Sequence, residues 1–432
     1  MKLTSWGAYP KIEATEYYPR TADAVHTNLL RCSRLIPRGL GRSYGDSALA
    51  QDVLNTRLLD HFVTFDAEHG IITCQAGVSF ASLLEIVVPQ GWFLPVTPGT
   101  KYVSVGGAIA SDVHGKNHHL HGCFSEYVVA MQLMLADGSR VICSRNEHPE
   151  LFRATCGGMG LTGVILQATL TLKKITSAYI QSTVLTAQNL AHIFELFAQY
   201  PATTYSVAWI DCLATGKALG RSVLMLGEHA SFGELAVHHN KKITIPCNLP
   251  SLFLNRFSIA LFNAAYFHRQ SWSQGLSTVH YDPFFYPLDK IAHWNRLYGR
   301  HGFTQYQLVL PKAAGLAGMT EIMRKITTSG RGSFLSVLKV CGPHNQNYLS
   351  FPIEGYSLAL DFKITSGLWG LLAALDAIVL AYGGRVYLTK DVCMSENTFK
   401  KSYPHWQEFA RVRQEYGGNK KFYSLQSIRL GL

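Results

Sequence analysis

Three glycine-dense stretches fall within the first 165 residues: "PRGLGRSYGD" at 37–46, "TPGTKYVSVGGAIASDVHGKNHHLHG" at 97–122 and "GGMGLTGVI" at 157–165. Glycine lets a backbone take up conformations closed to other residues and lets N–H groups approach an anion with no side chain in the way. A single stretch is compatible with an ordinary tight turn. Three in one region favour a fold that threads a long ligand through loops. The commonest helix-end solution fits poorly. Residues 39–45 read G-L-G-R-S-Y-G, one residue longer than G-x-G-x-x-G, and "DSALAQDVLNT" offers no long amphipathic helix behind it. A loop ending in G-K-[ST] is absent too.

Around these loops the text from 35 to 175 alternates short apolar runs with turn residues, as in "VLNT", "VTFD", "GIITCQAG" and "GVILQATLTLKKI". "ADGS" at 136–139 predicts an Asp-Gly hairpin, and "SFASLLEIVVPQ" at 79–90 a helix capped by Ser79 and stopped by Pro89. Beyond 178 the pattern predicts a helix at 187–200, a strand in "YSVAWIDCL", sheet and loop in "YDPFFYPLD" and "FTQYQLVLP", a helix in "AGMTEIMRKITTSG" and a strand in "YSLALDFKI". A chain of 432 residues exceeds what one core usually serves. The expected architecture is therefore α+β in two domains, one from 1–178 and a second from 179–383. A tail at 384–432, strand then helix, returns to the first.

Lys and Arg number 39 against 28 acids, a net charge of +11, so an anionic partner is expected. Nucleic acid is excluded as that partner, because no zinc-finger spacing, helix-turn-helix signature or basic run longer than "KK" occurs. The nine cysteines are odd in number and never spaced C-x-x-C, which suits reduced thiols in a cytoplasmic protein, and the N-terminus carries no secretory signal. The apolar stretch 249–267 is interrupted by Asn255, Arg256 and Asn263 and does not span a membrane. Both a buried helix or hinge and a surface segment touching lipid remain open for it. Histidines 114, 118, 119 and 121 lack a H-E-x-x-H partner motif, and no metal is expected.

"GLGRSYGD", "PGTKYVSVGGAIASDVHGKNHH", "GGMGLTGVI", "YSVAWID", "QYQLVLP" and "VYLTKD" together resemble the decaprenylphosphoryl-β-D-ribose 2′-oxidase family, flavoproteins of the vanillyl-alcohol-oxidase type, from about residue 30 to the C-terminus. The resemblance implies a two-domain PCMH-type FAD-binding fold around a central α+β substrate domain of antiparallel sheet plus helices. It implies FAD contacts from Pro37, Arg38, Gly39, Leu40, Gly41, Arg42, Ser43, Tyr44, Gly45, Asp46 and Ser47. Gly99, Ser104, Val105, Gly106, Gly107, Ser111, Asp112, Val113, His114, Val164 and Tyr387 join them by the same resemblance. Many relatives attach FAD covalently to a histidine in the first glycine loop. Here "GRSYGD" has neither histidine nor cysteine, so the FAD is expected to be non-covalent.

By the same resemblance, Lys390 and Tyr44 are the catalytic candidates, and His114, Trp209, Gln305, Gln307, Lys339 and Lys390 line the substrate pocket. The residues add conditions of their own. Gln305 and Gln307 alternate onto one strand face, where their amides suit sugar hydroxyls or, on an edge strand, solvent. Tyr387 and Lys390 would point apart on a regular strand, so they share a site only if it ends or bulges before "KD"; otherwise Lys390 is a surface partner of Asp391. In mycobacterial members a cysteine stands where this chain has Ala359, which would remove sensitivity to inhibitors attacking that thiol.

The implied activity is oxidation of the 2′-hydroxyl of a polyprenyl-phosphoryl-β-D-ribose to the 2′-keto sugar. A separate short-chain reductase would complete epimerisation, at the cytoplasmic side of the inner membrane with peripheral contact. Two other readings stay open: oxidation of a soluble alditol or aldonolactone, and a flavin-bearing, membrane-associated binding protein without turnover.

Overall fold

The computed structural model describes residues 1–237, 243–250 and 254–432. A small parallel sheet sets Asp52–Asn55 between Thr15–Tyr17 and Ile36–Arg38. The first glycine stretch leaves the Ile36–Arg38 edge as a loop, and no helix forms before the chain re-enters the sheet at Asp52. Next comes a five-stranded antiparallel sheet in the order Arg140–Ser144, Val128–Met134, Val164–Thr171, Ile71–Gln75, Phe62–Asp66. Its Asp-Gly hairpin forms as predicted: Met134 pairs with Arg140, and Gly138 takes the left-handed φ of +87° that the turn requires. The helix Phe80–Val87 is capped by the Ser79 hydroxyl, which accepts from the Ser82 N–H at 3.0 Å, and it tightens into a 3₁₀ turn through Pro89.

The second half is built on one eight-stranded antiparallel sheet. Its order is Gly275–His280, Tyr179–Ala187, Ser222–His229, Tyr205–Ile210, Ser336–Cys341, Gly355–Lys363, Phe303–Pro311, Arg385–Val386. Strand alternation divides its side chains cleanly. Tyr306, Leu308, Leu338, Leu358, Leu360, Ala208 and Ile210 enter a core with Met319, Ile322 and Met323 of the helix Gly315–Ser329 and Leu372 and Leu375 of the helix Leu368–Ala381. The residues between them on the same strands face the opposite side, where the cavity lies.

Two expectations need correction, and an open one is narrowed. "YDPFFYPLD" is helical, Tyr281–Phe285 followed by a 3₁₀ turn Pro287–Lys290, because His280 caps it by accepting from the Asp282 N–H. The tail serves both halves: Arg385–Val386 pairs with Phe303–Pro311, the Thr389 carbonyl then accepts from the Tyr44 N–H of the first loop, and further on Leu35 and Lys421 and then Tyr423 and Leu35 are bonded through their backbones. Of the apolar stretch 249–267, residues 251–253 lie outside the described residues, Leu249 donates its N–H to the Arg296 carbonyl, and residues 256–267 belong to one surface helix, Arg256–Trp272. Asn255, an interruption in the sequence pattern, is its N-cap, and Asn263 turns inward to donate to Asp211 at 2.9 Å. Among the described residues no helix is long and apolar enough to cross a membrane.

Candidate active site

The glycine loops and the cavity face of the large sheet enclose one space of about 800 Å³, in the range of small-molecule and cofactor sites. From the loops come Pro37 to Tyr44, Ser47, Gly99, Ser104, Gly106, Gly107, Ser111, Val113 and His114; from the sheet and the tail come Trp209, Gln305, Gln307, Lys339, Tyr387 and Lys390. Residues separated by more than 300 positions in sequence thus line one wall. The turn after Val386 makes this possible: Lys390 and Asp391 both donate their N–H groups to the Tyr387 carbonyl at 3.0 Å, so the strand ends before "KD" and the side chains of Tyr387 and Lys390 both reach the cavity.

Five of the residues expected here do not line it. Gly45 packs against the Asp391 carbonyl, and an added Cβ would lie 1.7 Å from that oxygen. Asp46 pairs with Arg429 at 2.7 Å, which also reaches Asp391 at 3.0 Å, so this carboxylate ties the first loop to the C-terminal helix. Val105 and Val164 are buried in apolar clusters. Asp112, at φ +40°, accepts from Asn345, Asn347 and Ser350 and from the Ser125 N–H; it fixes the loop that carries His114.

The loop backbone is prepared for an anionic ligand at one place and not at another. The helix Val105–Ala110 has no free end: Val105 and Gly106 donate to Val78 and Ala76, and Gly107 to the Ser104 hydroxyl. In the first loop, the N–H groups of Leu40, Gly41, Arg42 and Ser43 have no hydrogen-bond partner among the described residues, and Gly41 sits at φ +64°. Such a run of unpaired donors is an anion-binding nest. A Cβ on Gly99 would project into open space, so that glycine leaves room in the cavity. Arg38 is engaged by the Thr4 and Ala48 carbonyls, and Arg42 by the Leu40 carbonyl and the Trp6 ring at 4.2 Å.

Lys116 of the second loop and Lys339 and Lys390 of the sheet side bring positive charge into the cavity, and none of the three forms an ion pair among the described residues. Lys390 lies over the Tyr44 ring, 3.8 Å from its centroid, and burial brings its pKa down to about 7, offset in part by Asp361 and reinforced by Lys339. Burial, and then Lys339, does the same to Lys116, also to about 7; its ammonium donates to the Phe284 carbonyl. Lys339 is lowered by burial and forms no hydrogen bond or ion pair with a side chain among the described residues. Asp361 accepts from Gln305 at 2.6 Å and from the Tyr298 hydroxyl at 3.3 Å, and burial pushes its carboxyl up to about 7. Gln307 donates to His114 Nε2 at 2.9 Å, which leaves the proton on Nδ1, a buried donor with no partner. Burial and the neighbouring lysines Lys339 and Lys390 hold His114 neutral, far below the usual histidine range.

Burial pushes the Tyr44 phenol far above its ordinary value, which favours its protonated form, and its ring lies beneath the Lys390 ammonium. The sequence reading missed Lys116 and Asp361. Both signals were there: Lys116 stands two residues beyond His114, and Asp361 two beyond Ala359 on one strand face, with Ala359 paired to Gln307 in register. The remaining histidines of the second loop are engaged elsewhere. His118 accepts from the Gly342 N–H, His119 bonds the Thr203 carbonyl and His121 the Tyr127 hydroxyl. Among the described residues no cluster of metal-ligating side chains occurs.

An FAD binding domain family matches residues 17–144. The decaprenylphosphoryl-beta-D-ribose oxidase of Mycolicibacterium smegmatis is 36% identical over 450 residues, spanning 100% of this chain and 97% of that protein. Two lactone enzymes match over less. The mitochondrial L-galactono-1,4-lactone dehydrogenase 1 of Oryza sativa is 28% identical across 39% of this chain and 30% of its own, and the L-gulonolactone oxidase of Scyliorhinus torazame is 29% identical across 39% and 40%. Similarity sustained along the whole chain, glycine loops and sheet alike, makes this protein a member of the decaprenylphosphoryl-β-D-ribose oxidase family of FAD-dependent oxidoreductases.

Proposed function

We propose that the protein oxidises the 2′-hydroxyl of a polyprenyl-phosphoryl-β-D-ribose to the 2′-keto sugar. One observation carries this reading: a single cavity holds three lysines without carboxylate partners within ion-pair distance among the described residues, an amide pair, and the aromatic rings of Trp209, Phe262, Tyr266 and Phe334. That combination matches a phosphate, a sugar and an isoprenoid in one molecule.

FAD, held by the first glycine loop and the segments around Gly99, Gly107 and His114, would take up the hydride from the sugar carbon. The chain's own residues do the rest. The nest at 40–43 would hold the cofactor's phosphates, and His114 Nδ1, without a partner among the described residues, offers one further donor. Lys390, with a pKa near 7, is neutral in a large fraction of molecules at physiological pH and accepts the hydroxyl proton. Gln305 and Gln307 orient the ribose, each braced by a second bond, to Asp361 and to Ser357. Lys116 and Lys339 hold the substrate phosphate, with Trp209 fixed beside them by its indole N–H on the Phe334 carbonyl at 3.1 Å. The first loop supplies no histidine or cysteine for attachment, so the cofactor is non-covalent and acid-releasable. The keto product is consumed by a carbonyl reduction, for which we propose a separate short-chain reductase, and the enzyme works in peripheral contact with the inner membrane from the cytoplasmic side.

Anaerobic mixing of the holoenzyme with the prenyl-phosphoryl ribose tests the reading. Bleaching of the visible flavin band with formation of one keto sugar per flavin is the expected result; an unchanged spectrum would falsify it. The lactone enzymes resemble this chain over 39% of its length, which does not support a lactone substrate across the remainder.

A further inference from the structure

The helix Arg256–Trp272 has three sides with different surroundings. Ile259, Asn263 and Phe267 are buried, and the Asn263 amide pins the helix to Asp211. Phe262 and Tyr266, next around the helix, line the cavity; Phe262 is also 48% exposed, so the cavity reaches the surface beside it, and the Tyr266 ring stands edge-on to Trp209 with centroids 4.8 Å apart. About half a turn from the packed side lie Phe257, Leu261 and Trp272. These side chains are 83%, 73% and 87% exposed, an unusual outer face for a helix of a water-soluble domain, which is normally polar there. Leu276, 71% exposed on the edge strand that follows, extends the patch.

The charged residues of this segment have one sign. From residue 235 to 281 the sequence contains no Asp or Glu, while Arg256 and Arg269 lie on the helix itself and are exposed. Aromatic and aliphatic side chains rimmed by arginine, without acids, match the boundary between acyl chains and anionic headgroups. A partner helix or a second copy would leave the absence of carboxylates without a reason. We infer that the Phe257–Leu261–Trp272 face docks on an anionic lipid bilayer and holds the mouth of the cavity, at Phe262 and Tyr266, against the membrane surface.

The inference rests on the proposed lipid substrate, and its test separates the two. Full-length holoenzyme is co-sedimented with vesicles of phosphatidylcholine alone and with vesicles containing phosphatidylglycerol. A triple variant, Phe257→Ser, Leu261→Ser and Trp272→Ser, leaves Ile259, Asn263, Phe267 and every cavity residue in place. Wild type is expected to bind phosphatidylglycerol vesicles at least tenfold more tightly than the triple variant and than it binds neutral ones, with the advantage shrinking in high salt. The variant should keep its flavin content and its turnover of a short-prenyl, water-soluble substrate, and should lose turnover of long-chain substrate presented in vesicles. Equal vesicle binding by wild type and variant overturns the inference, as does a wild-type dimer that the substitutions dissociate without changing vesicle binding. If vesicle binding behaves as expected but no prenyl-phosphoryl ribose bleaches the flavin, the substrate reading fails and the docking face stands.

Discussion

The Lys390 ammonium lies 3.8 Å from the centroid of the Tyr44 ring, joining the last segment of the chain to the first glycine loop. The pairing keeps Lys390 pointed into the cavity while offering it no carboxylate within ion-pair range, and burial then lowers its proton affinity. Lys390→Met should fold and lower kcat by about 100- to 10,000-fold, the usual weight of a positioned acid–base group. Lys390→Arg should not restore it, because guanidinium does not give up its proton near neutrality. In the wild type, kcat/KM should climb as pH passes about 7, where Lys390 becomes able to accept a proton. Steady-state kinetics on the three proteins checks all of these.

Lys116 and Lys339 are expected to read the phosphate. Lys116→Ala and Lys339→Met should each raise KM about 10- to 100-fold, the weight of a charge-assisted hydrogen bond, with kcat much less affected. A riboside lacking the phosphate should bind wild type and variants alike. Measuring KM for both compounds separates recognition of the anion from general damage to the pocket.

The flavin-free protein should be least stable near neutral pH as far as these groups are concerned. Lys116 and Lys390 titrate near 7 when folded and near their ordinary 10.5 when unfolded, so the unfolded chain binds more protons between those values and stability rises with pH there. Asp361 titrates near 7 when folded against an ordinary 3.8, so the folded chain binds more protons in that window and stability falls as pH rises toward 7. Thermal melts of the flavin-free protein from pH 5 to 10 should show this minimum, and Lys116→Met should raise Tm at pH 7 and flatten the alkaline limb.

Two glycines of the loops should respond oppositely to the same methyl group. In Gly45→Ala the new Cβ meets the Asp391 carbonyl, and the first loop can no longer close on the Tyr387–Asp391 turn. Loss of folded protein is the expected result. In Gly99→Ala the methyl enters open cavity space, so the flavin-free melt should stay unchanged while FAD affinity drops. Melts and flavin titrations on the pair provide the comparison.

Ala359 lies on the cavity wall, between Gln307 and Val337 in register. Ala359→Cys should create a thiol that small electrophiles modify, with loss of activity and protection by substrate. Peptide mass mapping after labelling would show whether residue 359 is the site.

Much of this arrangement was legible in residue order. Gln305 and Gln307 follow from strand periodicity, and the condition set on Tyr387 and Lys390, that their strand end early, is the geometry found. Lys116 and Asp361 were as accessible by the same alternation and were passed over because neither belongs to a conspicuous motif. What residue order could not reveal is which N–H groups were already used. Gly106 and Gly107 look like a phosphate cradle in the sequence, yet their donors are committed to Ala76 and Ser104, while the plainer run Leu40–Ser43 is unengaged. Misreading "YDPFFYPLD" as sheet had a similar cause, since its aromatic content favours strands until His280 caps a helix.

The turn from Tyr387 to Asp391 has a bearing on how the enzyme is made. It supplies the proposed proton acceptor, holds the first loop through the Tyr44 N–H on the Thr389 carbonyl, and follows every described strand in the sequence. A chain that stops short of this turn would have the glycine loops and the sheets but neither the proposed proton acceptor nor the clamp on the first loop. In a flavoprotein that is a safeguard, because a half-built site able to reduce flavin without shielding it would leak electrons to oxygen.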